Sequence, residues 1–145
     1  MKMISTRGRY ALRVMADLAT FSDGKCVPMK EVAARQNISL KYLEQILPLL
    51  TKDGLIEGLQ GKKGGYRLCR KPEEYTIGEI LRRTEGDFAP VSCLEGGGGE
   101  CSHGTKCRTH PVWTNLQKLI GDYFDGITLA DLLDKNTDNA EKDEK

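Results

Sequence analysis

Long apolar runs are missing from this 145-residue chain. No stretch approaches the roughly 18 consecutive apolar residues that a membrane-crossing helix needs. The N-terminus is basic but lacks a continuous apolar signal region. Neither a membrane span nor secretion is expected, and the cytoplasm is the expected location. Net charge is also nearly absent, at +1. Histidine is scarce, and both copies, His103 and His110, fall between residues 88 and 110. Outside that segment no reacting constellation stands out, so an enzyme is not expected. The hydrophobic fraction of 39% suits one packed domain with an appended element.

The near-zero charge conceals a division. Residues 1–72 carry 14 Lys and Arg against 6 Asp and Glu, a net of +8. Residues 73–145 carry 8 against 15, a net of −7. A basic half suits a polyanion such as nucleic acid. An acidic half would be repelled by it and must face elsewhere.

Apolar spacing predicts the elements. Ala11, Val14, Met15, Leu18 and Ala19 form the stripe of a first helix, Ser5 to Phe21, with Ser5 or Thr6 as cap. Arg7, Arg9 and Arg13 lie off that stripe. Asp23-Gly24 is a turn, and Cys26, Val27 and Pro28 read as extended. A second helix, Met29 to about Gln36, buries Val32 and Ala33, and Asn37-Ile38 turns tightly. Ser39 caps a third helix in which Leu40, Leu43, Leu47 and Leu50 are expected inward. Lys41, Tyr42, Glu44, Gln45 and Lys52 remain on its other faces, and Pro48 is expected to kink it or slacken its last turn. After Asp53-Gly54, Leu55–Leu59 and Tyr66–Cys69 read as strands around a loop of glycines and lysines. Helix, tight turn, helix and basic-tipped hairpin is a winged helix-turn-helix. The expected fold is thus mainly α with a small β-hairpin wing.

Such a third helix fits the major groove. Tyr42 can reach a phosphate or a base edge, Glu44 can accept from a cytosine amino group, and Gln45 can pair with adenine. The wing glycines allow close approach, while Lys62 and Lys63 neutralise phosphates.

Lys71-Pro72 marks a boundary between a DNA-binding domain, residues 1–72, and a connecting helix within 73–91. Thr76 caps that helix, with Ile77, Ile80 and Leu81 inward. Residues 92–110 form a cysteine-rich loop. His110-Pro111 opens a long helix, Pro111 being tolerated in a first turn. Val112, Trp113, Leu116, Leu119, Ile120, Tyr123 and Phe124 cover more than one face, so a second copy is expected to bury part of it. Residues 111–135 therefore form a C-terminal dimerisation element, centred on Trp113, Leu116, Ile120, Tyr123 and Phe124. A short helix capped by Thr128 follows, and residues 136–145 are expected to be a disordered tail.

Cys26 and Cys69 are isolated and expected to be small packed residues. Cys93, Cys101 and Cys107 cluster with His110, separated by seven, five and two residues. Three thiolates and an imidazole suit zinc or a [2Fe–2S] cluster. The lack of a Cys-x-x-Cys pair leans towards the cluster. His103 is an alternative fourth ligand, and three reduced thiols acting as a redox sensor are an alternative to any metal. A redox or electron-transfer protein is a further reading, but it leaves the wing and third helix unexplained.

Several motifs together resemble a known family. They are Arg7-Gly8-Arg9-Tyr10-Ala11, Ile38-Ser39-Leu40-Lys41-Tyr42-Leu43-Glu44-Gln45, Gly64-Gly65-Tyr66, the Cys93/Cys101/Cys107/His110 loop and Ile127-Thr128-Leu129. From Ser5 to about Leu133 the chain resembles the iron–sulfur cluster regulators, winged-helix transcription regulators. The resemblance implies a homodimer on double-stranded DNA, with a [2Fe–2S] cluster per subunit on Cys93, Cys101, Cys107 and His110. It implies control of iron–sulfur assembly genes, with the cluster state altering which promoters are bound. It also implies that Ser39, Tyr42 and Glu44 face DNA, with Glu44 discriminating between site classes. Arg7, Tyr10, Lys41, Gln45, Gln60, Lys62 and Lys63 complete the candidate DNA-binding set. Two departures bear on this. The first cysteine gap is longer here by a couple of glycines, and Gln60 stands where a relative has arginine, shifting wing contacts to the lysines. Related sensors hold a [4Fe–4S] cluster through three cysteines and a carboxylate of the first helix. Gly8 stands near that position here, so [2Fe–2S] is favoured.

Overall fold

The structure, a computed structural model, describes residues 4–62, 64–95 and 107–133. Helix α1 (Thr6–Phe21) begins where Ser5 turns the chain, its hydroxyl accepting from the Gly8 N–H at 3.0 Å. Ala11, Val14, Met15 and Leu18 are fully buried at helical spacing, as their pattern predicts. Helix α2 (Met29–Gln36) buries Val32 and ends at Asn37, which adopts the left-handed conformation at φ 53°. The next helix, α3 (Leu40–Thr51), is capped by Ser39 and continues past Pro48 to Thr51.

The face of α3 differs from expectation. Leu43, Ile46, Leu47 and Leu50 point into the core, whereas Leu40 is 37% exposed. The inward face is rotated towards Ile46 because α3 packs against both α1 and the hairpin. At the N-terminal end of the helix Leu40 is only partly covered.

Strands β1 (Ile56–Leu59) and β2 (Gly65–Leu68) pair antiparallel, with Ile56 opposite Leu68 and Leu59 opposite Gly65. Val27 adds one bridge to Tyr66, with N···O distances of 2.8 and 2.9 Å. Cys69 lies just past β2 and is exposed, not packed as expected, because the core side of the strand end is filled by Tyr75. Cys26 is half-buried. Tyr75 is fully buried; its hydroxyl donates to Leu55 O at 2.6 Å and accepts from the Cys69 and Arg70 N–H groups at 3.0 Å. Burial pushes that phenol above its ordinary range.

Thr76 caps α4 (Ile77–Glu85), whose Ile77, Ile80 and Leu81 are buried. A short 3₁₀ turn, Ser92–Leu94, precedes residues outside the described set, and α5 (His110–Asp125) follows. After α5 the chain returns beside the start of α4, where Ile77 N–H donates to Ile127 O and Leu129 N–H to Tyr75 O. Thr128 then caps a helical stretch over residues 129–133, accepting from Asp131 N–H at 3.1 Å. The expected tail, 136–145, lies outside the described residues.

Two helical glycines make room for carboxylates across helix seams. A Cβ on Gly8 would lie 2.1 Å from Glu85 Oε1, and one on Gly78 would lie 2.0 Å from Asp125 Oδ1. Glycine costs about 1 kcal/mol against alanine within a helix. Here it lets Glu85 accept from the Ser5 N–H and hydroxyl, at 3.0 and 2.6 Å.

Candidate nucleic-acid interface and cysteine loop

The sequence-predicted DNA residues divide into three groups. On α3, Ser39, Lys41, Glu44 and Gln45 are exposed and lie away from its buried face. The Ser39 hydroxyl accepts from the Tyr42 N–H at 3.1 Å, so its acceptor function is partly spent on the cap. Tyr42 is half-buried and meets Tyr10 of α1 edge-on, with centroids 5.4 Å apart. Arg13 lies 5.3 Å over the Tyr10 ring and is anchored to the Gln36 backbone and side chain. The two tyrosines thus lock the rotation of α3 on α1.

At the start of α1, Arg7 is exposed, with one guanidinium nitrogen donating to Thr84 O at 3.2 Å. Guanidinium carries five donors, so most remain free for phosphate. On the hairpin tip Gln60 and Lys62 are exposed, and Gly61 takes φ 113°, a conformation that favours glycine. Lys63 lies outside the described residues.

The cysteine loop is only partly within view. Cys93 is half-buried in the 3₁₀ turn next to buried Leu94. Cys107 and His110 flank the start of α5, joined by a His110 N–H bond to Cys107 O at 3.4 Å. The Thr109 hydroxyl lies 3.3 Å from the Cys107 sulfur. Hydrogen bonds from the Thr109 side chain and backbone hold that thiol below its ordinary range, which favours the thiolate that binds metals. The His110 Nδ1 lies 3.4 Å from the Thr114 hydroxyl. Cys101 and His103 lie outside the described residues. Among the described residues no three His, Cys, Asp or Glu side chains come together as a metal-holding group.

The expected dimerisation residues part into two faces. Ile120 and Phe124 pack on their own chain, against the cluster of Ile77, Leu81 and Phe88, with the Phe88 and Phe124 rings 5.2 Å apart. Trp113 and Leu116 are half-buried. Tyr123 points away at 66% exposure, as do Val112 and Leu119 at 56% and 66%.

Sequence reasoning missed Asp17. It is 2% exposed, on the buried side of α1, and accepts from Arg35 Nε and Nη2 and from Gln36 Nε2 at 3.0, 2.7 and 2.9 Å. The available signal was a carboxylate next to Leu18 on an otherwise apolar stripe.

A helix-turn-helix with an antiparallel hairpin after its second helix is the winged helix-turn-helix fold. The model of the Rrf2 family, described as iron-dependent transcriptional regulators, matches residues 4–135, and the chain belongs to that family. It is 37% identical over 133 residues to the HTH-type transcriptional regulator IscR of Vibrio campbellii, covering 92% of this chain and 78% of the relative. Among solved structures, T. potens IscR superposes with a TM-score of 0.73 at 35% identity, covering 94% of this chain and 88% of that one. CymR, the global cysteine regulator of B. subtilis, superposes with a TM-score of 0.76 at 33% identity, covering 93% and 98%. Among the described residues no helix is long and apolar enough to cross a membrane.

Proposed function

We propose that the protein is a homodimeric iron–sulfur-sensing regulator that reads double-stranded DNA and controls iron–sulfur assembly genes. The observation that carries the DNA reading is the exposed polar face of α3 beside a basic hairpin, on the half of the chain with the positive net charge. Lys41, Gln45 and Glu44 face the base edges, with Glu44 selecting rather than strengthening, because a carboxylate repels phosphate. Arg7, Lys62 and Lys63 contact the backbone and supply salt-dependent affinity.

The donor chemistry fits a cluster. Hydrogen bonds from Thr109 hold the Cys107 thiol below its ordinary range, and His110 is tied to Cys107 O at the start of α5. Cys93, Cys101, Cys107 and His110 would hold a [2Fe–2S] cluster, which supplies one-electron redox chemistry and a tether between loop and helix. Dimerisation uses the outer stripe of α5. Val112, Leu116, Leu119 and Tyr123 recur at four, three and four residues, the spacing of a helix–helix seam. Val112, Leu119 and Tyr123 are exposed there, and grouped exposed apolar side chains favour an interface.

The test is anaerobic purification of the full chain, with iron, sulfide and zinc analysis and sedimentation. About two irons and two sulfides per chain, visible absorption and a dimer are expected. A colourless protein with stoichiometric zinc overturns the cluster, and a monomer overturns the α5 seam. Gel shifts of loaded and cluster-free protein on the same duplexes should differ in which sites are retained. Identical retention removes the sensing role.

A further inference from the structure

We infer that Leu40 reads the C5 methyl of a thymine in the major groove. This deepens the reading of α3 as the DNA-contacting helix and rests on it.

Leu40 is the first residue of α3 and is 37% exposed, while Leu43, Leu47 and Leu50 are at most 5% exposed. It stands one helical turn before Glu44 and two before Pro48, so the three form a line along the exposed face. Lys41 and Gln45 run beside that line. The first residues of such a helix are the ones that meet base edges. Every other exposed group on the first turn and a half is polar or charged. Leucine offers nothing to a phosphate or to a polar base edge. The thymine methyl is the one apolar group that the major groove presents.

The geometry is also pre-set. The Ser39 cap fixes the first turn, and the Tyr10–Tyr42 contact fixes how α3 is rotated on α1. Leu40 therefore projects from a held backbone, and burying its tip costs little ordering. With Glu44 one turn later, α3 would read a thymine by its methyl and a nearby cytosine by its amino group. Shielding one methyl from water is worth about fourfold in affinity.

The full-length protein is first used to select duplexes from a random pool. Each thymine of the winning duplex is then replaced by deoxyuridine, which removes only the methyl. The wild-type chain should lose about fourfold at one thymine per half-site. Leu40→Ala should bind the thymine duplex about fourfold less tightly and stop distinguishing uracil there, while its thermal melt falls only modestly and it remains folded at the assay temperature. Leu40→Met, which keeps an apolar tip, should retain the discrimination. If Leu40→Ala discriminates at the same position as strongly as wild type, or if no thymine matters to the wild type, the inference is overturned while DNA reading by α3 stands. If the pool yields no enriched sequence, both fall.

Discussion

The Asp125 carboxylate closes on the Arg82 guanidinium through two hydrogen bonds, 2.7 and 2.9 Å, joining α5 to α4. That pair is one of four ties that charged side chains of α4 make to other elements among the described residues. Glu79 binds Arg70 at the end of the hairpin, at 2.6 Å. Arg83 binds Asp53 beyond α3, at 3.1 Å. Glu85 holds Ser5 at the start of α1. One nine-residue helix therefore touches α5, the start of α1, the chain just after α3 and the end of the hairpin. In the proposed regulator, a shift of α5 would reach α1, α3 and the hairpin through α4.

Gly78→Ala tests the seam. The new methyl would meet the Asp125 carboxylate at 2.0 Å and drive it off Arg82. The pair is about 40% exposed on both sides, so its loss costs less than about 1 kcal/mol and is offset by better helix propensity. Net stability should barely change. Asp125→Asn should destabilise the wild type slightly and do nothing in the Gly78→Ala background, a non-additivity readable from urea melts.

Asp17→Ala should lower unfolding free energy by about 2–4 kcal/mol. It removes three hydrogen bonds to a carboxylate whose side chain is fully buried, two of them from a charged donor. Arg35 also stacks 4.0 Å over the Phe21 ring, so Arg35→Ala should cost as well, and the double variant should cost less than the sum.

Tyr75→Phe should cost about 1–3 kcal/mol, since Leu55 O loses its short O–H donor and the Arg70 N–H its acceptor, while Cys69 N–H and Leu55 O keep only their long bond to each other at 3.4 Å. It should also flatten the alkaline limb of stability. The folded phenol holds its proton above the ordinary value of about 10, so above that pH the unfolded chain releases a proton that the folded chain keeps. Stability from this group is complete below pH 10 and falls as pH rises beyond it. Denaturation at pH 8 and pH 11 should differ less in the variant than in the wild type.

Lys62→Ala combined with Lys63→Ala should reduce the slope of log affinity against log salt by about 2, with each phosphate contact contributing about 0.9. An unchanged slope would place the wing off the DNA. Glu44→Ala should relax sequence preference more than it weakens binding, measured on matched duplexes that differ at one cytosine. Equal loss on all of them would make Glu44 a structural residue.

Local contacts were legible without the fold. Ser5, Ser39 and Thr76 cap helices by accepting from an N–H three residues on, and that bond needs only neighbouring chain. The α1 stripe, the hairpin, the charge division and the cysteine cluster are likewise properties of short-range order or of composition. The tertiary structure decided which part of a broad apolar face turns inward. On α3 it turned Ile46 in and Leu40 out, and on α5 it spent Ile120 and Phe124 on α4 while leaving Leu119 and Tyr123 exposed. A periodic stripe specifies a face to within a turn or so, and the partner surface chooses within it. The same holds for Asp17, Gly78 and Tyr75, whose roles depend on a group 18 to 47 residues away that local pattern does not bring into view.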